Sequence, residues 1–217
     1  MKERGMIFNS EMVRAILDGR KTQTRRIMKV QPVLNGNFYE VFGSAWSKGM
    51  TSIPAVPGHS LSTRCPFGAV GDRIWVRETF CPVDDTQYGG EKWVDYRATP
   101  RYEASHPAGW DSAPNDAEAL KWRPSIHMPR WASRILLEIT GVRVERLNSI
   151  SQEDAQAEGL ELTGWRPTYS DPDSGGEVMT PYDNFAELWS SIYGDESWKA
   201  NSWVWVISFK RVEGGAA

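Results

Sequence analysis

The 217-residue sequence predicts a single α+β domain, in which a small β-barrel is flanked by short helices and interrupted by long loop insertions. Segments with alternating apolar and polar residues at the centre and the end of the chain predict the strands. Short amphipathic segments that begin at a capping residue and end at a glycine predict the helices. The helices are therefore expected to pack around the barrel.

Five strands are expected in the barrel. A Gly71-Asp72 turn followed by β-branched and aromatic residues predicts a strand over 73–78. The strongest alternation covers 133–140 and 142–147, which predicts two strands or one strand bent at Gly141. The other two strands are expected over 22–27 and 203–209.

Three short helices are expected. Asn9 or Ser10 caps the first helix, and Gly19 ends it. A Ser-x-x-acid start at Ser151 and a stop at Gly159 define the second. Apolar residues at helical spacing predict the third. The three expected ranges are 10–18, 151–158 and 183–193.

Several long stretches of the 1–217 domain have no sustained period and are expected to be insertions. The first is rich in Pro, Gly and Ser. These stretches cover residues near 31–66, 80–120 and 162–182.

The composition is that of an ordinary globular protein, with 40% hydrophobic and 24% charged residues. No apolar run approaches the about 20 residues that span a bilayer, and the start of the chain lacks the apolar core of a secretory signal. We therefore expect a cytoplasmic protein without membrane contact. Cys65 and Cys81 are expected to be free thiols in that compartment.

Charge is unevenly distributed, although the formal net charge is only -3. Basic residues outnumber acidic ones over 1–30 and 121–146, whereas acidic residues dominate 150–200. If the two basic segments meet in space, they form a positive face that attracts phosphate groups. A solvated surface of mixed charge is the alternative.

Several common chemistries do not fit the sequence. The residues around Lys21 lack the glycines of a phosphate-binding loop. The Cys and His residues lie far apart, so no metal site is expected. The Gly-x-Ser-x-Gly motif of a serine hydrolase is absent. A hydrolase with this sequence would therefore need a different base.

Lys21 is the candidate for that base. A lysine that is buried in a cavity has a lowered pKa and can accept a proton from a hydroxyl, and Thr22 and Thr24 supply hydroxyls nearby. The alternative is that Lys21, Arg25 and Arg26 are solvated or structural, as most charged residues are. The residues alone leave both interpretations open.

The segment from Gly19 to Arg26, which reads Gly-Arg-Lys-Thr-Gln-Thr-Arg-Arg, resembles the signature of the ASCH domain, a small β-barrel of the PUA-like superfamily. The tracts 122–131 and 154–159 resemble the prophage-encoded branch of that family. The resemblance implies a PUA-like (ASCH) fold for the whole domain. Further matching segments are 71–76, 135–147, 155–158 and 205–210.

A compact bacterial member of this superfamily is an amidohydrolase that removes acetyl from N4-acetylcytidine. The resemblance implies a metal-independent and cofactor-independent catalytic set of Lys21, Thr24 and Glu158. Arg25 and Arg26 stand where the small enzyme has Ile-Arg, and they are expected to help hold the substrate. Glu153 and Asp154 lie one helical turn from Glu158, so a small alignment slip would exchange them.

The second hypothesis is an RNA- or nucleotide-binding module without catalysis, since PUA-like barrels often bind RNA. The stretch that contains Trp122 and Trp131 interleaves aromatic and basic residues without an acid, which suits single-stranded RNA. Core packing is the alternative role of the tryptophans. The partner would be a modified nucleoside or single-stranded RNA. The expected positive face contains Lys21, Arg25, Arg26, Lys121, Arg123 and Arg130. No sequence feature speaks for a third possibility, a structural role in a phage particle.

Overall fold

The computed structural model describes residues 1–35, 38–41, 51–54, 65–84, 86, 91–101, 121–160, 163–166 and 177–212. The strands are β1 (Glu3–Ile7), β2 (Gln23–Ile27), β3 (Val33–Asn35), β4 (Phe38–Val41), β5 (Thr51–Pro54), β6 (Arg73–Arg77), β7 (Phe80–Asp84), β8 (Lys92–Tyr96), β9 (Leu136–Arg146), β10 (Thr163–Arg166), β11 (Glu177–Met179) and β12 (Trp203–Arg211). The helices are α1 (Ser10–Leu17), α2 (Gln152–Ala157), α3 (Pro181–Tyr193) and α4 (Asp195–Lys199). This arrangement confirms the predicted α+β class.

The central element is a mixed five-stranded sheet with the order β1-β6-β9-β12-β2. β1 runs parallel to β6, and the other neighbours are antiparallel. β9 is one strand along its whole length, with Thr140 as an extra residue opposite the step from Ser208 to Phe209. Such a bulge bends a strand. The two segments predicted around Gly141 therefore form one bent strand.

The sheet is not closed into a barrel within the described residues. β1 and β2 are the edges of the sheet, and no ladder of backbone hydrogen bonds joins them in the described part of the chain. The edges approach through a side chain, because Arg26 Nη2 donates to the carbonyl oxygen of Ile7 at 2.7 Å. The Arg26 guanidinium also lies over the Phe8 ring, 5.4 Å from its centroid. The Arg26 side chain thus lies between β1 and β2, where backbone hydrogen bonds between the two strands would close a barrel.

Both faces of the sheet are covered, because alternate residues of β12 enter different hydrophobic clusters. Trp205 and Ile207 pack into one cluster, which also contains Val13 and Ile16 of α1. Val204 packs into the other cluster. The second cluster also contains Val206 of β12, Ala155 of α2, and Phe185 and Trp189 of α3. The period of two along the strand therefore places α1 on one face and α2 and α3 on the other.

The three predicted helices are confirmed. Asn9 caps α1 by accepting a hydrogen bond from Met12 N at 2.8 Å. The Ser151 hydroxyl caps α2 in the same way. Thr180 and Asp183 form a reciprocal capping box at the start of α3. The five-residue helix α4 was not predicted.

The expected insertions carry strands of their own. β3, β4 and β5 form a small antiparallel sheet within 31–66, β7 and β8 form a hairpin within 80–120, and β10 pairs with β11 within 162–182. The rest of these stretches lies outside the described residues. Cys65 and Cys81 are buried free thiols. None of the described helices has the length and apolar character that crossing a membrane requires.

Candidate active site

The candidate site lies where the chain turns from α1 into β2. Gly19 ends the helix with φ of 79°, in the left-handed region that glycine adopts readily. Lys21 N then donates to Ala15 O at 2.9 Å, which ties the turn to the helix. Gly159 follows α2, and a Cβ atom there would lie 2.8 Å from Ala15 Cβ and 3.0 Å from Lys21 Cβ. A glycine at 159 therefore lets the end of α2 approach Lys21 closely.

This approach brings together two residues that are far apart in the sequence. Lys21 Nζ donates to Glu158 Oε2 at 2.6 Å and to the Glu158 carbonyl oxygen at 2.9 Å. The two side chains are only 0% and 4% exposed. The structure thus pairs the predicted lysine and glutamate, with both side chains buried.

Burial lowers the pKa of Lys21 from its ordinary value of 10.5. The negative charge of Glu158 and its hydrogen bond oppose that effect, and the nearby Arg26 and Arg25 add to it. Desolvation dominates because an ammonium group loses its hydration when it leaves water. Lys21 therefore gives up its proton more readily than a lysine on the surface.

The structure also distinguishes Glu158 from the two neighbouring acids. Asp154 accepts hydrogen bonds from Arg25 and Arg143, and Glu153 is exposed. Only Glu158, among the acidic residues that the structure describes in α2 and at its end, contacts Lys21. The residue that the resemblance selected is therefore the one paired with the lysine.

Arg25 has a different environment from the one expected. Its guanidinium is fully buried and donates to three carboxylates, those of Glu145, Asp154 and Glu158. The contact from Nη1 to Glu158 Oε1 is 3.2 Å long. Since Lys21 holds the other oxygen, the Glu158 carboxylate is fixed between two cations. Arg25 therefore holds a protein carboxylate, where the sequence predicted a substrate contact.

Thr24 and Glu158 face a common cavity of about 190 Å³, together with Arg25 and Arg26. Thr24 is 2% exposed. Its hydroxyl has no hydrogen-bond partner among the described residues, so it is available to a ligand. Lys21 does not itself line the cavity, but it contacts Glu158, which does.

An apolar wall from α3 forms the opposite side of the cavity. The helical spacing predicted this apolar face, but no functional role was predicted for it. The spacing of four between Phe185, Trp189 and Tyr193 could have indicated an aromatic surface on one face of the helix. The wall consists of Phe185, Leu188, Trp189, Ile192 and Tyr193.

The other predicted binding residues lie elsewhere. Lys121, Arg123 and Arg130 do not line this cavity. The backbone of Arg123 pairs with Phe80, and the Arg130 side chain forms a 3.0 Å ion pair with Glu3. Lys21 and Arg25 are buried against carboxylates, so their side chains are not exposed on a common surface with Lys121, Arg123 and Arg130.

No cluster of three or more His, Cys, Asp or Glu residues suited to a metal ion occurs in the described ranges. Comparison of the chain with protein-family models, with curated proteins and with solved structures found no match. Function is therefore inferred from the chemistry of the site residues.

Proposed function

We propose that the protein is a metal-independent amidohydrolase that acts on an acylated pyrimidine nucleoside such as N4-acetylcytidine. The observation that carries the proposal is the buried Lys21–Glu158 pair, with 2.6 Å between Nζ and Oε2, in which Glu158 lines a cavity together with Thr24. Hydrolysis of an amide needs a nucleophile, a base that activates it and a proton for the leaving amine. These three groups supply that set.

We also propose that the fold is an ASCH-type relative of the PUA-like barrels. The order of the strands and helices around the Gly19–Arg26 signature supports this proposal. The contact between Arg26 and Ile7 marks where the edges of the sheet approach. The fold would then be a barrel of this class that is left open between β1 and β2.

Hydrogen bonding to Glu158 orients Lys21 for its role as the base. A neutral amine has two N–H bonds and one lone pair, and Lys21 Nζ has two acceptors on Glu158. When both N–H bonds point to these acceptors, the lone pair remains for the proton of a hydroxyl. The lowered pKa makes this neutral form accessible, and the Glu158 carboxylate stabilises the ammonium that forms.

In the first step, Thr24 Oγ attacks the acyl carbonyl carbon and its proton moves to Lys21. The bond from carbon to N4 then breaks, and the Lys21 ammonium returns the proton to N4, so cytidine leaves. A water molecule releases the acid from Thr24 by the same sequence of transfers. If Thr24 instead positions a water molecule, that water attacks directly, and the proton follows the same route through Lys21.

The size of the cavity favours a small substrate. Pockets for drug-sized ligands usually measure about 300–1,000 Å³. The cavity here measures about 190 Å³. Its charged end and its apolar wall suit a reactive amide and a flat ring, respectively. A free nucleoside or one exposed nucleotide therefore fits better than a folded segment of polymer.

The test is a chromatographic assay of purified protein incubated with N4-acetylcytidine. Wild type should release cytidine, and Lys21→Ala, Thr24→Ala and Glu158→Gln should each lower the rate at least about 100-fold. Lys199→Ala is the control, because that lysine is exposed and paired with Glu196 on the same short helix. The proposal is wrong if wild type releases no cytidine or if all three site variants keep full activity.

A second candidate function, binding of single-stranded RNA, is favoured by one exposed aromatic residue. Trp131 is 67% exposed and adjoins Arg130. With Trp93 and Lys92, it borders a shallow cavity of about 320 Å³ on the hairpin β7–β8. Aromatic rings beside cations form the stacking surfaces on which single-stranded bases bind.

RNA binding can be measured by titrating labelled single-stranded RNA at several salt concentrations. Trp131→Ala should weaken binding, and the double variant Arg123→Ala plus Arg130→Ala should reduce its dependence on salt. Ile126→Ala is a control, because Ile126 is also exposed but offers no ring. Affinity that responds neither to salt nor to these substitutions would contradict this candidate.

A further inference from the structure

We propose that Arg25 is a positioning residue, whose guanidinium keeps the Glu158 carboxylate paired while Lys21 gives up its proton. This inference rests on the proposed function for the role of Lys21 as the base. The proton affinity of Lys21 is nevertheless measurable without any substrate, so the two proposals can fail separately.

The Glu158 carboxylate contacts two cations among the described residues, one at each oxygen. Lys21 Nζ lies 2.6 Å from Oε2, and Arg25 Nη1 lies 3.2 Å from Oε1. The side chains of both cations are fully buried. When Lys21 is neutral, Arg25 is therefore the cation that stays in contact with this carboxylate.

This second contact matters because a base must lose its own proton first. Without Arg25, a neutral Lys21 would leave the buried Glu158 carboxylate without a cation, which is strongly unfavourable. The lysine would then remain an ammonium, and an ammonium has no lone pair that can accept a proton. With Arg25 at the other oxygen, Glu158 stays paired in both states of Lys21.

Three further contacts hold the Arg25 guanidinium in place. Its Nε donates to Glu145 Oε1 at 3.2 Å, and its Nη2 donates to Asp154 Oδ2 at 2.8 Å. The guanidinium carbon also lies 5.6 Å from the centre of the Phe185 ring. A guanidinium is a planar group whose donors point in fixed directions. The contacts to Glu145, Asp154 and Phe185 therefore fix the direction from which Nη1 meets Glu158.

The charged groups around Lys21 act in the same direction. Burial lowers the pKa of Lys21, Glu158 raises it through its charge and its hydrogen bond, and Arg26 and Arg25 lower it. Arg26 directs its guanidinium to the carbonyl oxygen of Ile7, whereas Arg25 donates to Glu158 itself. Removal of Arg25 should therefore raise the pKa of Lys21, since the charge of Glu158 would then act on the lysine alone.

A pH titration of the full chain by NMR, with isotope-labelled lysine, tests this inference. The Lys21 signal is identified by its absence from the spectrum of Lys21→Met. Arg25→Gln should raise the pKa of Lys21 by about one pH unit. Arg134→Gln is the matched control, because it makes the same change at the arginine that is paired with Glu78. It should lower stability and leave the pKa of Lys21 unchanged.

The pH profile of N4-acetylcytidine hydrolysis provides a second readout. Arg25→Gln should move the rise in kcat/KM to higher pH, opposite to the direction expected for Glu158→Gln. Below this rise, kcat/KM should therefore fall about tenfold relative to wild type, and it should recover at higher pH. A purely structural role would lower kcat/KM equally at every pH. Arg25→Lys, which keeps the charge, should keep the rise close to that of wild type.

The outcomes distinguish the two proposals. A pKa of Lys21 that is unchanged or lower in folded Arg25→Gln overturns this inference. If Arg25→Gln does not fold, the double variant Arg25→Gln plus Glu145→Gln removes one carboxylate that is left unpaired, and the same criterion applies to it. A raised pKa without hydrolysis by wild type supports the role of Arg25 and contradicts the hydrolase. Hydrolysis with an unchanged pKa of Lys21 contradicts only the role of Arg25.

Discussion

Two buried glutamates, Glu158 and Glu78, are paired with cations in different ways. Glu78 is held by a fork, because Arg134 Nε and Nη2 each donate to one of its oxygens at 3.0 Å. The Arg134 guanidinium is stacked 3.9 Å from the centre of the Tyr96 ring. Glu158 instead divides its two oxygens between Lys21 and Arg25. Glu158 also lines the cavity of about 190 Å³, and Glu78 is not among the residues that line it.

The difference separates a structural ion pair from a reactive one. A planar guanidinium that binds a carboxylate through two parallel hydrogen bonds has a fixed geometry and stays charged. A lysine can lose its proton, and burial lowers the pKa of Lys21. Burial raises the pKa of Glu78, and the hydrogen bonds and charge of Arg134 oppose that rise. Of the two glutamates, only Glu158 is paired with a group that can exchange protons, and it lines a cavity that Thr24 also lines.

The largest expected effect is on stability, at the structural pair. Arg134→Met should lower the free energy of unfolding by about 3–5 kcal/mol, because it leaves the buried Glu78 carboxylate without its partner. Urea denaturation measures this change. The double variant Arg134→Met plus Glu78→Met should recover much of the loss, since it removes the unpaired charge. An unfolding curve of Arg134→Met that matches wild type would show that the pair is not structural.

The next effect is on catalysis, at Thr24. Thr24→Val keeps the shape of the side chain and removes the hydroxyl, so kcat/KM for N4-acetylcytidine should fall at least about 100-fold. Stability should change little, because the hydroxyl has no hydrogen-bond partner among the described residues. Thr24→Ser, which restores a hydroxyl, should recover part of the activity. Full activity in Thr24→Val would exclude a role for this hydroxyl.

The pH dependence provides a third prediction. With Lys21 as the base, kcat/KM should rise with pH through an apparent pKa below the ordinary lysine value of 10.5. Glu158 raises the pKa of Lys21, so Glu158→Gln should shift this rise to lower pH. At a pH between the lowered pKa of Lys21 in the folded protein and its ordinary value of 10.5, Lys21 is protonated in the unfolded chain but not in the folded one. The free energy of unfolding should therefore increase with pH over that interval. If kcat/KM of Glu158→Gln rises over the same pH range as that of wild type, Lys21 is not the base.

The smallest effect is expected at Arg143, on the outer side of the charged cluster. Its side chain is 42% exposed and pairs with Glu145 and Asp154. Arg143→Ala should lower the free energy of unfolding by no more than about 1 kcal/mol, because water screens exposed ion pairs. Thermal unfolding measures this loss of stability. A loss as large as that of Arg134→Met would mean that Arg143 is needed to hold Arg25 in place.

The helices and strands that depend on short stretches of sequence were predicted from those stretches alone. The caps at Asn9 and Ser151 and the alternation in β12 are properties of short segments. β1 was missed because its burial pattern shows one buried residue, Met6, within a mostly exposed strand. The hairpin β7–β8 was missed because Pro82 interrupts the strand pattern of β7.

Long-range pairing limited the prediction of the site. Periodicity gave no reason for Lys21 to meet Glu158, and only the resemblance to a known family suggested it. The environment of Arg25 was unpredictable from its own segment, because its carboxylate partners come from β9 and from α2 and its end. Charged residues are rarely buried unless they are paired, and no local pattern shows that pairing. Closure of a barrel is also a long-range property, because it requires hydrogen bonds between the two edge strands, β1 and β2. No local pattern in the sequence shows whether those edges pair.

The most direct test makes the same chemical change at the two buried glutamates and compares kcat/KM per folded molecule for release of cytidine. Glu158→Gln should lower kcat/KM at least about 100-fold, because it removes the charge that stabilises the Lys21 ammonium. Glu78→Gln should lower stability but leave kcat/KM of the folded molecules at the wild-type value. Equal loss of kcat/KM in the two variants, or no release of cytidine by wild type, would contradict the assignment of Lys21 and Glu158 as the reactive pair.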